Sequence, residues 1–223
     1  MFEDTMFRIS IMLVPGLFAI TCHEVAHGYV AWRLGDPTAR MLGRLTLNPL
    51  KHIDFIGTLM LVLIGIGWAK PIPVVTENLR NPRKAMVLVS SAGPGSNILI
   101  ALGSALLYRI IMAWYPSGGF TGLPAMVVTP VVLMLVFSIY INVLLALFNL
   151  LPIPPLDGGR IAIGLLPKRL ATLLESLEPY GMVIIILLFV TKAINPVLFP
   201  VHSFLVNVLT GGTQAQLLKP FMF

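Results

Sequence analysis

Four stretches of this chain, at about residues 9–32, 85–113, 127–151 and 180–209, are apolar over a length close to or above the roughly 20 residues that cross a bilayer. Hydrocarbon offers no water to the backbone, so each such stretch must satisfy its own N–H and C=O groups, and an α-helix does that within a single segment. The expected fold is therefore an all-α polytopic membrane protein of four to five transmembrane helices, in a single domain over residues 1–223. Composition agrees, since 57% hydrophobic and 11% charged residues exclude an ordinary soluble globule. The chain opens Met1-Phe2-Glu3-Asp4, acidic where a signal peptide is basic, so the first span is expected to be retained.

A shorter apolar run, Phe55 to Trp68, falls below spanning length. It carries Gly57, Gly65 and Gly67 among β-branched residues and is followed by Pro71 and Pro73, which reads as a re-entrant, β-hairpin-like loop around 55–74. Loop charge tests this topology. Arg33, Arg40, Arg44 and Lys51 on one side of the run, and Lys70, Arg80, Arg83 and Lys84 on the other, place both flanks in the cytoplasm, as a dip requires. The uncharged connection from Tyr115 to Met126 is then outside, the loop 158–179 with Arg160, Lys168 and Arg169 is inside, and the N-terminus is outside a cell membrane crossed several times. In the last stretch, residues from 180 to about 194 read as a crossing whose Lys192 snorkels, and 197–209 as a kinked continuation or interfacial helix with His202 at the interface. A net charge of +6 suggests nucleic acid on a soluble protein, but here the cations sit in short loops between spans, so no nucleic-acid partner is expected. The single cysteine, Cys22, excludes an internal disulfide framework.

Within the first apolar run lies His23-Glu24-Val25-Ala26-His27. On a helix, histidines four apart lie about 40° apart on one face, one turn from each other, so both imidazoles can reach one metal ion. Glu24 falls about 100° round from His23, beside the metal rather than on it. Ionisable groups at membrane depth cost on the order of 3 kcal/mol each, and three occur here in five positions. Counting about 1.5 Å per residue down from an outer N-terminus leaves His23 roughly 10 Å from the cytoplasmic face of an approximately 30 Å core.

A catalytic zinc takes three protein ligands and leaves a position open. Asp157 is the best third candidate. It ends Asn149-Leu150-Leu151-Pro152-Ile153-Pro154-Pro155-Leu156-Asp157-Gly158-Gly159, where prolines forbid regular helix and glycines allow close backbone approach. A cap or turn role before Gly158-Gly159 fits the same local sequence. Straight-helix arithmetic also opposes the ligand reading, because a helix descending from Val127 reaches the depth of His23 near Asn142, so the proline-rich piece must turn back toward the metal.

Together, His23-Glu24-Val25-Ala26-His27, Ser91-Ala92-Gly93-Pro94-Gly95-Ser96-Asn97 and the segment Asn149 to Gly159 resemble the site-2 protease family of intramembrane zinc metalloproteases. Gly67-Trp68-Ala69-Lys70-Pro71-Ile72-Pro73-Val74 is similar to the family's membrane-associated loop, and the likeness runs from about residue 16 to 192. The resemblance implies that His23, His27 and Asp157 hold Zn2+, that Glu24 activates water, and that the substrates are transmembrane helices met within the lipid bilayer. It further implies a substrate- or oxyanion-binding role for Asn149. Asn97 is expected to tie helices together. His52 stands where the family has a His-Ile-Asp-Pro stretch, here with Phe55 in place of the proline, and is expected to brace a loop. At this length the chain is expected to lack the PDZ or CBS domains that many members carry.

Two other classes share these features: a zinc-binding membrane receptor or transporter, in which Glu24 is dispensable, and a non-catalytic scaffold that binds helices. Intact ligands and base favour the endopeptidase.

Overall fold

The computed structural model describes residues 2–57, 59, 67–114 and 123–212, without the side chains of 2–5 and 123–125. The described chain is mostly helical: α1 (Phe2–Arg33), α2 (Thr38–Met41), α3 (Pro82–Trp114), α4 (Leu123–Asn149), α5 (Asp157–Leu165), α6 (Lys168–Leu177), α7 (Gly181–Val190) and α8 (Asn195–Thr210). No strand is formed among the described residues. One isolated antiparallel bridge pairs Ile53 with Ala69, and the Lys70 N–H donates to the His52 carbonyl at 2.8 Å. These two contacts join the residues that flank the run but do not establish a hairpin: Phe55, Ile56 and Gly57 are helical, and Thr58 and residues 60–66 lie outside the described residues.

Among the described residues, four helices are long and apolar enough to cross a membrane: Met6–Arg33, Pro82–Trp114, Met126–Asn149 and Lys168–Val190. Pro15, Pro94 and Pro130 lie inside the first three, as transmembrane helices tolerate. The outward face of α3 is apolar, with Leu99 70%, Leu106 62% and Leu107 54% exposed, a surface suited to lipid rather than water. The fourth candidate span begins earlier than the expected 180–209. A 3-10 turn over Glu178–Tyr180 joins α6 to α7 instead of ending the helix. Its C-terminal end is set by Lys192, which takes the left-handed conformation (φ 58°) usual just past a helix end, and α8 then starts anew at Asn195.

The chain forms two compact units, one of residues 1–19, 97–145 and 195–223, the other of residues 20–96 and 146–194. In the first, Asn97 and Asn142 are both fully buried. The Asn97 amide donates to the Ala19 carbonyl at 3.3 Å and to Asn142 Oδ1 at 2.8 Å, and Asn142 donates to the Ser138 carbonyl at 2.9 Å. Ser104 and Ser138 share a hydroxyl hydrogen bond at 2.9 Å. His202, expected at an interface, is buried in this unit at 2% exposure, with Nε2 3.0 Å from the Tyr140 carbonyl and its ring edge-on to Tyr140. One stripe of α8 is buried (Leu198, His202, Val206, Thr210), and that spacing carries the histidine inward. The second unit holds the pentad, the proline-rich segment and all the basic loops.

Candidate metal centre

His23 and His27 stand one turn apart on α1, and their rings meet edge to face at a centroid distance of 4.6 Å. His27 Nδ1 is 2.7 Å from the Val89 carbonyl of α3. That nitrogen therefore carries the proton and donates it, and Nε2 of the neutral ring is left with its lone pair toward His23.

Asp157 reaches the same point from the far end of the unit. After α4 ends at Asn149, the chain cannot continue as helix through Pro152, Pro154 and Pro155, and it folds back on itself with a cis bond between Pro154 and Pro155. The fold-back is tight. A Cβ on Gly158 would stand 2.3 Å from the Leu150 carbonyl oxygen, and one on Gly159 would stand 2.4 Å from the Pro154 nitrogen, so only glycine fits at either position. Leu156 takes the N-cap position of α5, which leaves Asp157 in the first turn with its carboxylate turned to the histidines.

Three atoms thus converge. His23 Nε2 and His27 Nε2 are 3.0 Å apart, and Asp157 Oδ2 is 3.2 Å from each. The three residues are buried, at 7%, 9% and 9% exposure, and Oδ2 accepts no well-aligned hydrogen bond. Donor atoms around a tetrahedral ion with bonds of about 2.0 Å are roughly 3.3 Å apart. With both rings in the neutral form that binds metal through Nε2, two nitrogen lone pairs and a carboxylate oxygen face one another at nearly that spacing and repel unless a cation lies between them, and the donor set suits zinc. His23, His27 and Asp157 form the one group of metal-ligating side chains among the described residues.

Gly93 completes the wall. A Cβ there would lie 2.4 Å from His27 Nε2 and 2.6 Å from His23 Cε1, so the rings occupy space that only glycine leaves. The residue appears in the Gly93-Pro94-Gly95 run of the sequence, but nothing in that run says which glycine meets the histidines. Glu24 is half-buried, and its Oε2 accepts the Ile72 N–H at 2.8 Å.

The other candidates lie elsewhere. His52 is buried at 2% exposure with Nε2 2.9 Å from the Thr46 carbonyl, bracing its own loop, and is not in the ligand group. Asn97 belongs to the polar network of the first unit. Asn149 is the last residue of α4, half-buried, where the helix gives way to the fold-back.

Residues 11–191 match the profile described as Peptidase family M50. A Bacillus subtilis (strain 168) protein named "Putative zinc metalloprotease YwhC" is 42% identical over 191 residues, covering 85% of this chain and 84% of that protein. A Mycolicibacterium smegmatis protein named "Putative zinc metalloprotease Rip2" is 30% identical over 197 residues, 84% of this chain and 70% of its own length. No solved structure matches.

Proposed function

Because the chain belongs to peptidase family M50 and carries four helices fit to cross a membrane, we propose that this zinc metalloprotease of site-2 type is an intramembrane endopeptidase cutting peptide bonds within or near transmembrane helices of other proteins. The observation that carries the reading is the convergence of His23 Nε2, His27 Nε2 and Asp157 Oδ2, with Glu24 one residue from the first of them.

These three side chains would hold Zn2+, and what zinc supplies when bound is Lewis acidity, a water of pKa about 7 and a polarised carbonyl. Glu24 takes the proton of the attacking water and returns it to the leaving amine. The Ile72 N–H occupies one of its oxygens, which leaves the other for the proton. Asn149 binds the substrate backbone or the oxyanion near the fold-back. A substrate helix hides its carbonyls in its own hydrogen bonds, so it must unwind before any of these groups can act.

The basic loops support an orientation with the N-terminus outside and the site nearer the cytoplasmic face of the cell membrane. Residues 33–54, 69–84 and 158–179 all belong to the unit that holds the site.

The test is metal content and cleavage together. Purified wild-type protein should bind about one zinc and cut a transmembrane peptide in detergent, whereas Glu24→Gln should keep the zinc and lose about 10²- to 10⁴-fold in cleavage rate. Undiminished cleavage by Glu24→Gln would remove the general base and with it the hydrolytic reading.

A further inference from the structure

Arg44 is buried at 8% exposure, yet no carboxylate lies within ion-pair distance of it among the described residues. Its Nη2 donates to the Lys70 carbonyl at 2.8 Å and reaches the Pro71 carbonyl at 3.4 Å, while its Nε is buried without a partner among the described residues. A guanidinium gives up strong hydration to sit there, and two carbonyls return only part of it. Those carbonyls belong to the peptide units immediately before Ile72, and the Ile72 N–H is the donor bonded to Glu24 Oε2 at 2.8 Å.

The segment is pinned on either side as well. The Lys70 N–H bonds the His52 carbonyl, and the Val75 N–H donates to Asp36 Oδ2 at 2.8 Å. Ile72 itself is buried at 7% exposure, its Cδ1 only 2.6 Å from where a Cβ on Gly28 would stand, one turn beyond Glu24 on α1. Pro71 and Pro73 have no N–H, so Ile72 supplies the one amide donor between residues 71 and 73.

We propose that Arg44 is a positioning residue for Glu24: it holds the carbonyls of Lys70 and Pro71 so that the Ile72 N–H fixes one carboxylate oxygen of Glu24 and leaves the other to act as the base. The role of Glu24 as base rests on the function proposed above, but the link from Arg44 through Ile72 to Glu24 is a matter of geometry and is measured without turnover. Hydrogen exchange at the Ile72 amide, followed in zinc-free protein, reads it directly. Glu24→Ala and Arg44→Gln should each speed that exchange by about tenfold or more, because each removes one side of what protects the amide. In the zinc-loaded enzyme, Arg44→Gln and Ile72→Pro should each lower kcat about 10- to 100-fold, with KM and zinc content held near wild type. The double variant should be no slower than the worse single one, since both break one linkage. Arg44→Lys, which keeps a charged donor, should recover part of the loss, and Ile72→Ala, which keeps the N–H, should lose less than Ile72→Pro.

Unchanged exchange in Arg44→Gln or in Glu24→Ala overturns the linkage. So does a loss of zinc that parallels the loss of kcat, because Arg44 would then be supporting the fold at large. A wild-type protein that cuts nothing would defeat the protease reading alone, and the exchange result would still decide the linkage.

Discussion

Replacing Gly93 with alanine adds one methyl group where the structure has none to spare. The new Cβ would stand 2.4 Å from His27 Nε2, 2.5 Å from His27 Cε1 and 2.6 Å from His23 Cε1. Carbon contacts relax only at about 3.5–4.0 Å, so the rings or the helix must move by about 1 Å. The His27 ring cannot yield freely, because it is held by the Val89 carbonyl, one turn earlier on the same helix as Gly93. A shift of that size breaks the Val89 bond or pulls Nε2 out of the triangle it makes with His23 and Asp157. Metal sites tolerate about 0.2 Å in each bond, and loss of an orienting partner alone weakens metal binding about 10- to 100-fold. Gly93→Ala should therefore bind zinc at least about 100-fold more weakly, measured by competition against a buffered chelator, and cleavage at limiting zinc should fall in step. Gly95→Ala is the matched control, two residues along the same helix with nothing within 4 Å of its added Cβ. It should bind zinc as wild type does, with stability unchanged or raised by up to about 1 kcal/mol from better helix propensity. Wild-type zinc affinity in Gly93→Ala would refute the contact, and with it the placement of the two rings against α3.

Two further expectations concern the ends of the same unit. Asp157→Ala should lose zinc while keeping the helical circular dichroism of the wild type, because Asp157 makes no cap for α5 and its removal leaves that helix start intact; zinc retained in full would strike Asp157 from the ligand set. Asp36 is buried and accepts from Thr38, Asn78 and Val75, and although burial pushes its carboxyl up, these hydrogen bonds hold it below the usual aspartate range. A depressed folded pKa stabilises above the unfolded value of about 3.9 and loses that contribution as pH falls through the folded pKa. Asp36→Asn should therefore melt lower than wild type at pH 7, by about 2–4 °C for each kcal/mol lost, and the gap should narrow below about pH 4. A gap that does not change with pH would assign the effect to lost packing instead.

The helices were legible because the constraint behind them is strong. Apolar runs near 9–32, 85–113 and 127–151 fall within α1, α3 and α4 to within a few residues, since backbone in hydrocarbon has little alternative to helix. The fourth boundary was not, because the apolar run begins near 180, whereas the helix extends back through the charged α6, which reaches α7 by a 3-10 turn at Glu178–Tyr180. His23 and His27 could be paired from spacing alone, as helical periodicity fixes which side chains share a face. Neither Gly93 nor Arg44 could be found in that way. One acts by lacking a side chain against residues 66 and 70 positions earlier, the other through carbonyls 26 and 27 positions away, and local patterns carry no such distances.

The depth arithmetic that pointed to Asn142 shows where reasoning along one straight axis fails. Asn142 is indeed buried inside α4, but its amide and carbonyl are taken by Ser138 and Asn97, so it is spent on joining helices. Depth along a helix axis identifies a ligand only if the ligand lies on that helix. Here the carboxylate comes eight residues after α4 ends, on a segment whose direction is set by prolines that stop the helix and glycines that let the chain pass within 2.3–2.4 Å of where a Cβ would be. Those residue types are visible in the sequence, yet they specify only that the chain may turn sharply; where it turns to depends on Leu150, Leu151 and Pro154 packing back on the first turn of α5. A candidate ligand placed on such a fold-back arrives with its carboxylate free of capping duty, and an aspartate at the N-cap of a regular helix would instead have satisfied its own backbone.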